Sequence, residues 1–260
     1  MGDNHGTYES QHAVDEYAGL IDLQPPERTI LDLVALALPN ARMLDLGVGG
    51  GRTTVHFAPR ARRYVGADYS EGMVAACHAR FAGSPYRFSV ADARFLPFGD
   101  AAFDFVLFSF NGIDYVPHEG RQQILREIHR VTAPGGRFAF STHNLDNAPR
   151  LLSLRPTVGV RTTLRRWALR RRNPSLRTIM SRQWTILQDG ALRGGLETYY
   201  VRREEQLRQL GNAGFTSPRV FQLDGGVARE GATDPWLYYL CDRPGALASQ
   251  EVILMQHRAP

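Results

Sequence analysis

The stretch Met43-Leu44-Asp45-Leu46-Gly47-Val48-Gly49-Gly50-Gly51-Arg52 decides the fold of this 260-residue chain. Its first half reads as a buried strand with a carboxylate, Asp45, near its end. Its second half is a loop almost without side chains, and the sequence after it can turn helical. Glycine takes up turns closed to other residues and lets a ligand approach the main chain closely. An apolar strand, a glycine-rich turn and a helix, in that order, form the nucleotide cradle of α/β sheets.

Two ligand classes suit such a cradle: a nicotinamide or flavin dinucleotide, and S-adenosylmethionine. A dinucleotide fingerprint requires G-x-G-x-x-G. Counted from Gly47 and Gly49, its third glycine falls on Arg52. Asp45 stands two residues before the first glycine, where a carboxylate can attract the ammonium end of a methionine. Alone, a glycine-rich run is also compatible with a plain turn. The D-x-G-x-G-x-G pattern of Asp45, Gly47, Gly49 and Gly51 resembles motif I of the class I S-adenosylmethionine-dependent methyltransferases.

Further segments fall in matching order. Residues 63–70 read as a second strand ending in Asp68, about 20 residues past the loop, the spacing at which an acid accepts hydrogen bonds from ribose hydroxyls. Residues 89–93 read as a third strand end, where the resemblance implies that Asp92 holds the adenine amino group and the Ala93 amide lies near the ring. Residues 102–110 are almost wholly apolar, as suits a central parallel strand buried on both faces. A helix carrying Ile124, Leu125, Ile128 and Val131 stops at Pro134-Gly135-Gly136, where a fifth strand begins. That Arg-Val-x-x-Pro-Gly-Gly element, from Arg130 to Gly136, is similar to the helix-to-strand junction of the same family. The resemblance therefore covers roughly residues 40–142. It implies a Rossmann-like, doubly wound α/β sheet of seven mostly parallel strands, the last antiparallel, with S-adenosyl-L-methionine at the carboxyl ends of the strands. Arg52, Tyr69, Phe108 and Asn111 complete the implied cofactor set. Tyr17, in a segment that lies over the cofactor in similar enzymes, is either a lid contact gaining from a sulfonium–aromatic attraction or an ordinary helix anchor.

The chain is long enough for one well-buried α/β domain with an elaboration. The expected divisions are a helical lid at 1–38, a cofactor core at 39–144, an arginine-rich cap at 145–196, terminal strands and helix at 197–241, and a tail at 242–260. Pro25-Pro26 starts a helix expected to run through Leu33, Val34, Leu36 and Ala37. Trp184 to Val201 reads as a hairpin about Gln188-Asp189-Gly190, with Glu197–Val201 as the sixth strand, and residues 220–223 and 236–241 supply the last strands. No run is apolar enough to span a bilayer and no secretory signal opens the sequence. Cys77 and Cys241 read as buried thiols rather than a disulfide, which fits a cytoplasmic setting. The eight histidines are scattered, so no metal site is expected. All basic residues are Arg, a feature of codon usage rather than of chemistry.

Charge is unevenly spread. Ten arginines and no acid lie between Arg150 and Arg182; taking their charges from the total of +5 leaves −5 for the remainder. Residues 160–172 can form a helix with Val160, Leu164, Trp167 and Ala168 along one stripe and arginines elsewhere. Four readings are open: a solvated helix packed by its stripe; a cap binding an anionic acceptor; an interfacial helix on anionic lipid; and, ranked last, nucleic-acid binding.

Methyl transfer requires an acceptor held in line with the donor, and a hydroxyl acceptor also needs a base. The fourth strand delivers Asn111, Asp114 and Tyr115 to the rim, and the fifth delivers His143. An imidazole titrates near neutrality, which makes His143 the candidate base, with Asp114 or Tyr115 positioning the acceptor; Asp114 also suits a helix N-cap. The expected function is O-methylation of a small anionic or glycosylated metabolite. N-methylation, and a cofactor-binding scaffold without catalysis, are the alternatives.

Overall fold

The computed structural model describes residues 21–153, 160–189 and 197–245. Its strands are β1 (Arg42–Leu46), β2 (Arg63–Asp68), β3 (Arg87–Val90), β4 (Phe103–Phe108), β5 (Thr132–Asn144), β6 (Trp184–Gln188), β7 (Glu197–Val201), β8 (Thr216–Phe221) and β9 (Trp236–Asp242). β1 is central because Met43, Leu44 and Leu46 are buried, so both of its faces are apolar. It pairs in parallel with β2 and β4; β3 flanks β2, and β5 flanks β4. β9 runs antiparallel between β5 and β8. Within a nine-stranded sheet, the order β3-β2-β1-β4-β5-β9-β8 is the doubly wound, seven-stranded arrangement with one antiparallel strand that the resemblance implies.

Helices cover both faces. α1 (Pro25–Val34) and α2 (Glu71–Arg80) bury Ile30, Leu31, Val34, Val74 and Cys77 against Met43, Phe105 and Leu107. On the other face α3 (His118–Val131) buries Ile124, Leu125, Ile128 and Val131 against Leu44, Val106, Phe138 and Phe140. Both cysteines are free and buried. Among the described residues no helix is long and apolar enough to cross a membrane.

Three local expectations are corrected. First, Glu197–Val201 joins the sheet as an addition beside β5 and is not the sixth strand of the seven-stranded arrangement. It is half of an antiparallel hairpin with β6, and it meets β5 only at His143↔Tyr200 and Asn144↔Val201. Trp236 of β9 takes the opposite edge of β5 at His143, so β7 occupies the edge that β4 leaves after Phe140. Local β propensity marks a strand without saying which edge it joins. Second, α1 stops at Val34 and leaves Leu33 and Leu36 exposed. Its end tightens through Ala35 N–H to Asp32 O and Ala37 N–H to Val34 O, toward a short turn that buries Leu38 beside Pro39. Third, the reading of residues 160–172 as a helix packed by its stripe fails for the described side chains of α4 (Val160–Arg172): Leu164 and Trp167 are 61% and 48% exposed, and Leu169 is buried instead. Leu169 joins Leu145, Leu152, Ile179, Leu187 and Tyr200 in a small third core beyond the end of β5.

α5 (Arg203–Asn212) precedes β8 as expected. The start of the expected tail is anchored: Asp242 belongs to β9, and the Arg243 guanidinium donates to the carbonyls of His129, Arg130 and Thr132. Tyr17, Gly190 and the last fifteen residues lie outside the described residues.

Candidate active site

The loop after β1 has the backbone its glycines allow. Gly47, Gly49 and Gly51 have φ of +59°, +53° and +81°, a region that side chains beyond glycine rarely enter. A Cβ on Gly47 would lie 2.8 Å from the Phe108 ring, and one on Gly51 would overlap Phe81, so both are packing requirements. Phe108 thus acts as the wall behind the loop. Gly49 differs: nothing lies within 4 Å of where its Cβ would be, and the main chain there borders open space. The Gly49 N–H donates to Asp68 Oδ2 (2.8 Å), and the Ser70 N–H to Asp68 Oδ1 (3.0 Å). Asp68 at the end of β2 therefore stands directly beside the loop, with burial raising its pKa against those backbone bonds. An open main-chain cradle with an acid at its side fits a ribose-bearing ligand.

Asp45 is 1% exposed, and its Oδ2 accepts from Thr53 Oγ1 (2.6 Å) and Tyr64 OH (2.7 Å). Burial pushes its pKa up to about 6, against the lowering by Thr53, Tyr64 and the Arg52 charge. A folded-state pKa above the unfolded value contributes stability at low pH that is lost as pH rises through it. Relative to Asp45→Asn, the native protein is therefore expected to lose about 2 kcal/mol between pH 4 and pH 7. Melting curves of the ligand-free pair across that range check this; a constant difference between them would show that Asp45 is not held neutral.

Arg52 is clamped by Glu27 of α1, Nη1 to Oε2 at 2.5 Å and Nη2 to Oε1 at 2.6 Å, and its guanidinium lies 5.0 Å from the Phe110 ring centroid. Glu27 also accepts from Gln24 N–H (2.7 Å), Tyr238 OH (3.0 Å) and Ser109 Oγ. Burial alone would raise its pKa, but the Arg52 bonds and charge, together with the bonds from Ser109 and Gln24, outweigh burial and leave it lowered. One buried carboxylate thus ties α1, the glycine loop, the end of β4 and β9 together. Asp92 is likewise engaged, by both the side chain and the N–H of Arg94, with half-buried Ala93 next to it, while Tyr69 is exposed at the end of β2.

β4 ends in two consecutive left-handed residues, Phe110 (φ +58°) and Asn111 (φ +63°). Such strain persists where the surroundings enforce it, often at functional sites. Here the Asn111 N–H is held by Ser141 Oγ of β5 (2.8 Å), and Asn111 Oδ1 is buried without a partner. A buried acceptor without a donor is costly unless a ligand or water supplies one.

The turn Gly112–Tyr115 carries Asp114 into the interior. Asp114 does not cap a helix. Its Oδ1 accepts from Arg121 Nη1 (2.5 Å) and Thr142 Oγ1 (2.7 Å), and its Oδ2 from the N–H (2.7 Å) and Nδ1 (2.8 Å) of His143. Arg121, fully buried, reaches on to Thr142 and Gln206 and lies 4.7 Å from the Tyr199 ring centroid. His143 is enclosed by Tyr200, Trp236 and Tyr115, with ring centroids at 4.9, 6.0 and 6.5 Å. The structure thus joins the three candidate catalytic residues in one cluster, with Asp114 holding His143 rather than facing an acceptor. Arg121, Thr142, Glu27, Ser109 and Tyr238 escaped the sequence reading. Among the described residues no group of three or more His, Cys, Asp or Glu side chains could hold a metal.

Residues 43–136 match a family described as "Methyltransferase domain". The chain is 41% identical over 107 residues to a demethylmenaquinone methyltransferase of Mycolicibacterium vanbaalenii, covering 40% of this chain and 44% of that one. A second demethylmenaquinone methyltransferase, from Thermus thermophilus, is 41% identical over 110 residues, covering 40% and 49%. The chain thus spans about half or less of the length of these curated relatives. Among solved structures, an S-adenosylmethionine-dependent methyltransferase from Mesorhizobium loti superposes with a TM-score of 0.60 at 21% identity, covering 83% of this chain and 98% of that one. A Burkholderia thailandensis 1,6-didemethyltoxoflavin-N1-methyltransferase, with its acceptor and S-adenosylhomocysteine bound, gives 0.57 at 19% identity, covering 92% and 84%. At these identities the structural likeness carries the fold.

Proposed function

We propose, on the premise that residues 43–136 form a class I methyltransferase domain, that the chain methylates a hydroxyl of a small molecule from S-adenosylmethionine, with His143 as base. The carrying observation is the double bond-pair from the His143 N–H and Nδ1 to one oxygen of Asp114. Ion-paired with Arg121, Asp114 accepts the Nδ1 proton, so a neutral ring keeps its lone pair on Nε2. A base oriented in this way takes a hydroxyl proton as the oxygen gains its methyl.

The donor supplies a sulfonium-bound methyl that is already electrophilic. The loop from Gly47 to Gly51 and Asp68 would hold its ribose side, Asp92 and Ala93 its adenine, and Asp45 with Arg52 its methionine end. Unpartnered Asn111 Oδ1 is the remaining acceptor beside this set. What remains for the protein is to keep the nucleophile in line at ~3–3.5 Å and to exclude water. The family match ends at Gly136, before His143, so the acceptors of the relatives are not carried over. The rings enclosing His143 favour a flat, apolar hydroxyl compound. An anionic or glycosylated acceptor draws no support from these described contacts, which include no arginine of the 150–182 segment.

Calorimetric titration with S-adenosylhomocysteine tests the donor half. The wild type is expected to bind, and Asp68→Ala to bind roughly tenfold or more weakly, as for loss of hydrogen bonds to a charged group. A wild type indifferent to S-adenosylhomocysteine that instead saturates with NADH or FAD would overturn the reading.

A further inference from the structure

The arginine-rich segment takes no described part in the candidate active site, and α4 within it has an unusual surface. Leu169 anchors the helix to the small core around Leu145, Ile179 and Tyr200. At helical spacing, Leu164, Trp167, Ala168 and Arg171 fall on one face, away from Leu169. Leu164, Trp167 and Ala168 are exposed there, and so are Arg170, Arg171 and Arg172 in the last turn. The Arg171 guanidinium stacks 4.1 Å from the Trp167 ring centroid. Packing by the apolar stripe is therefore not what this helix does with it. A tryptophan and a leucine are left facing outward among cations, in a 33-residue stretch with ten arginines and no acid.

We propose that this face of α4 is a docking surface for an anionic lipid bilayer, the tryptophan and leucine entering the interfacial layer and the arginines pairing with headgroups. Apolar residues flanked by arginines are the signature of an in-plane interfacial helix. Charge complementarity selects an anionic surface. The exposed apolar pair selects lipid over nucleic acid, for which arginines alone suffice, and the net −5 of the remainder opposes wider phosphate wrapping. The surface is coupled to the site: Tyr200 belongs to the core that seats α4 and also packs on His143. Docking by α4 brings the rim that bears His143 to the side of a membrane from which an apolar acceptor can be drawn.

Co-sedimentation of the full chain with vesicles of phosphatidylcholine containing about one-third phosphatidylglycerol tests this, with pure phosphatidylcholine alongside. The protein is expected to pellet with the anionic vesicles and to be released by raised salt. The triple variant Arg170→Ala/Arg171→Ala/Arg172→Ala is expected to bind about a hundredfold more weakly, at about fivefold for each arginine near the surface. Trp167→Ala is expected to weaken binding while leaving the melting temperature and S-adenosylhomocysteine titration unchanged. Because those residues are exposed, folding of the variants is checked by the same melting curves, and the salt release of the wild type stands whether or not they fold. Equal binding to pure phosphatidylcholine, no binding to either vesicle, or salt-sensitive retention of single-stranded RNA in place of vesicles would each overturn the proposal.

Discussion

Asp114→Ala is expected to lower the free energy of unfolding by about 3–5 kcal/mol, the usual result of stranding one partner of a buried ion pair. Both side chains of the Asp114–Arg121 pair are fully buried. Without the carboxylate, the buried Arg121 is left with only neutral partners, Thr142, Gln206 and the Ile113 carbonyl, and the Thr142 hydroxyl, His143 N–H and His143 ring lose their shared acceptor. The deficit comes more from the orphaned cation than from the attraction lost. Asp114→Leu combined with Arg121→Met is therefore expected to recover a large part of it, as replacement of buried pairs by apolar side chains does elsewhere. Urea unfolding of the single and double variants reads both effects. A loss below about 1 kcal/mol in the single variant, in the range of a solvated pair, would mean that Arg121 does not depend on Asp114.

His143→Ala is expected to lower kcat by about 10²–10⁴-fold on a hydroxyl acceptor, the usual contribution of a positioned base. S-adenosylhomocysteine affinity should not change, because the described contacts of His143 are with Asp114 and with the rings of Tyr115, Tyr200 and Trp236 rather than with the glycine loop. Added imidazole should restore part of the rate, a response that a purely architectural role would not give. Undiminished turnover in His143→Ala would remove the base from the mechanism and return N-methylation to the front.

The glycine loop of the candidate site is legible because its constraints fall on consecutive residues. Gly47, Gly49 and Gly51 are required by backbone angles and by the rings of Phe108 and Phe81, and a run of such constraints is visible without a structure. Asp68, singled out by its spacing, does stand beside that loop. The acceptor half was only partly legible. His143 and Asp114 stand out separately by residue type and place, but their pairing depends on a left-handed turn at Phe110 and Asn111, where the Asn111-Gly112 dipeptide signals a turn without saying that it sends Asp114 inward. Arg121 looks like any solvated residue of a basic amphipathic helix, and its burial comes from partners 21 and 85 positions away. Glu27 reads as an ordinary first-turn acid, and the capping bond to Gln24 is there; its clamp on Arg52 is a tertiary fact. In α4 the apolar stripe is legible but its partner is not: packing by the stripe is one of four open readings, and the structure buries Leu169 from the far side instead.

The β6–β7 hairpin meets β5 at only two residues, both beyond the last rung shared with β4. The glycine loop and Asp68, carried by β1 and β2, do not pass through that junction. On the function proposed above, the architecture is modular: a handle for the donor on one side, and on the other a separable hairpin whose Tyr200 packs on the candidate base. Swapping the hairpin, by recombination or by design, should redirect such a protein to new acceptors without rebuilding the handle.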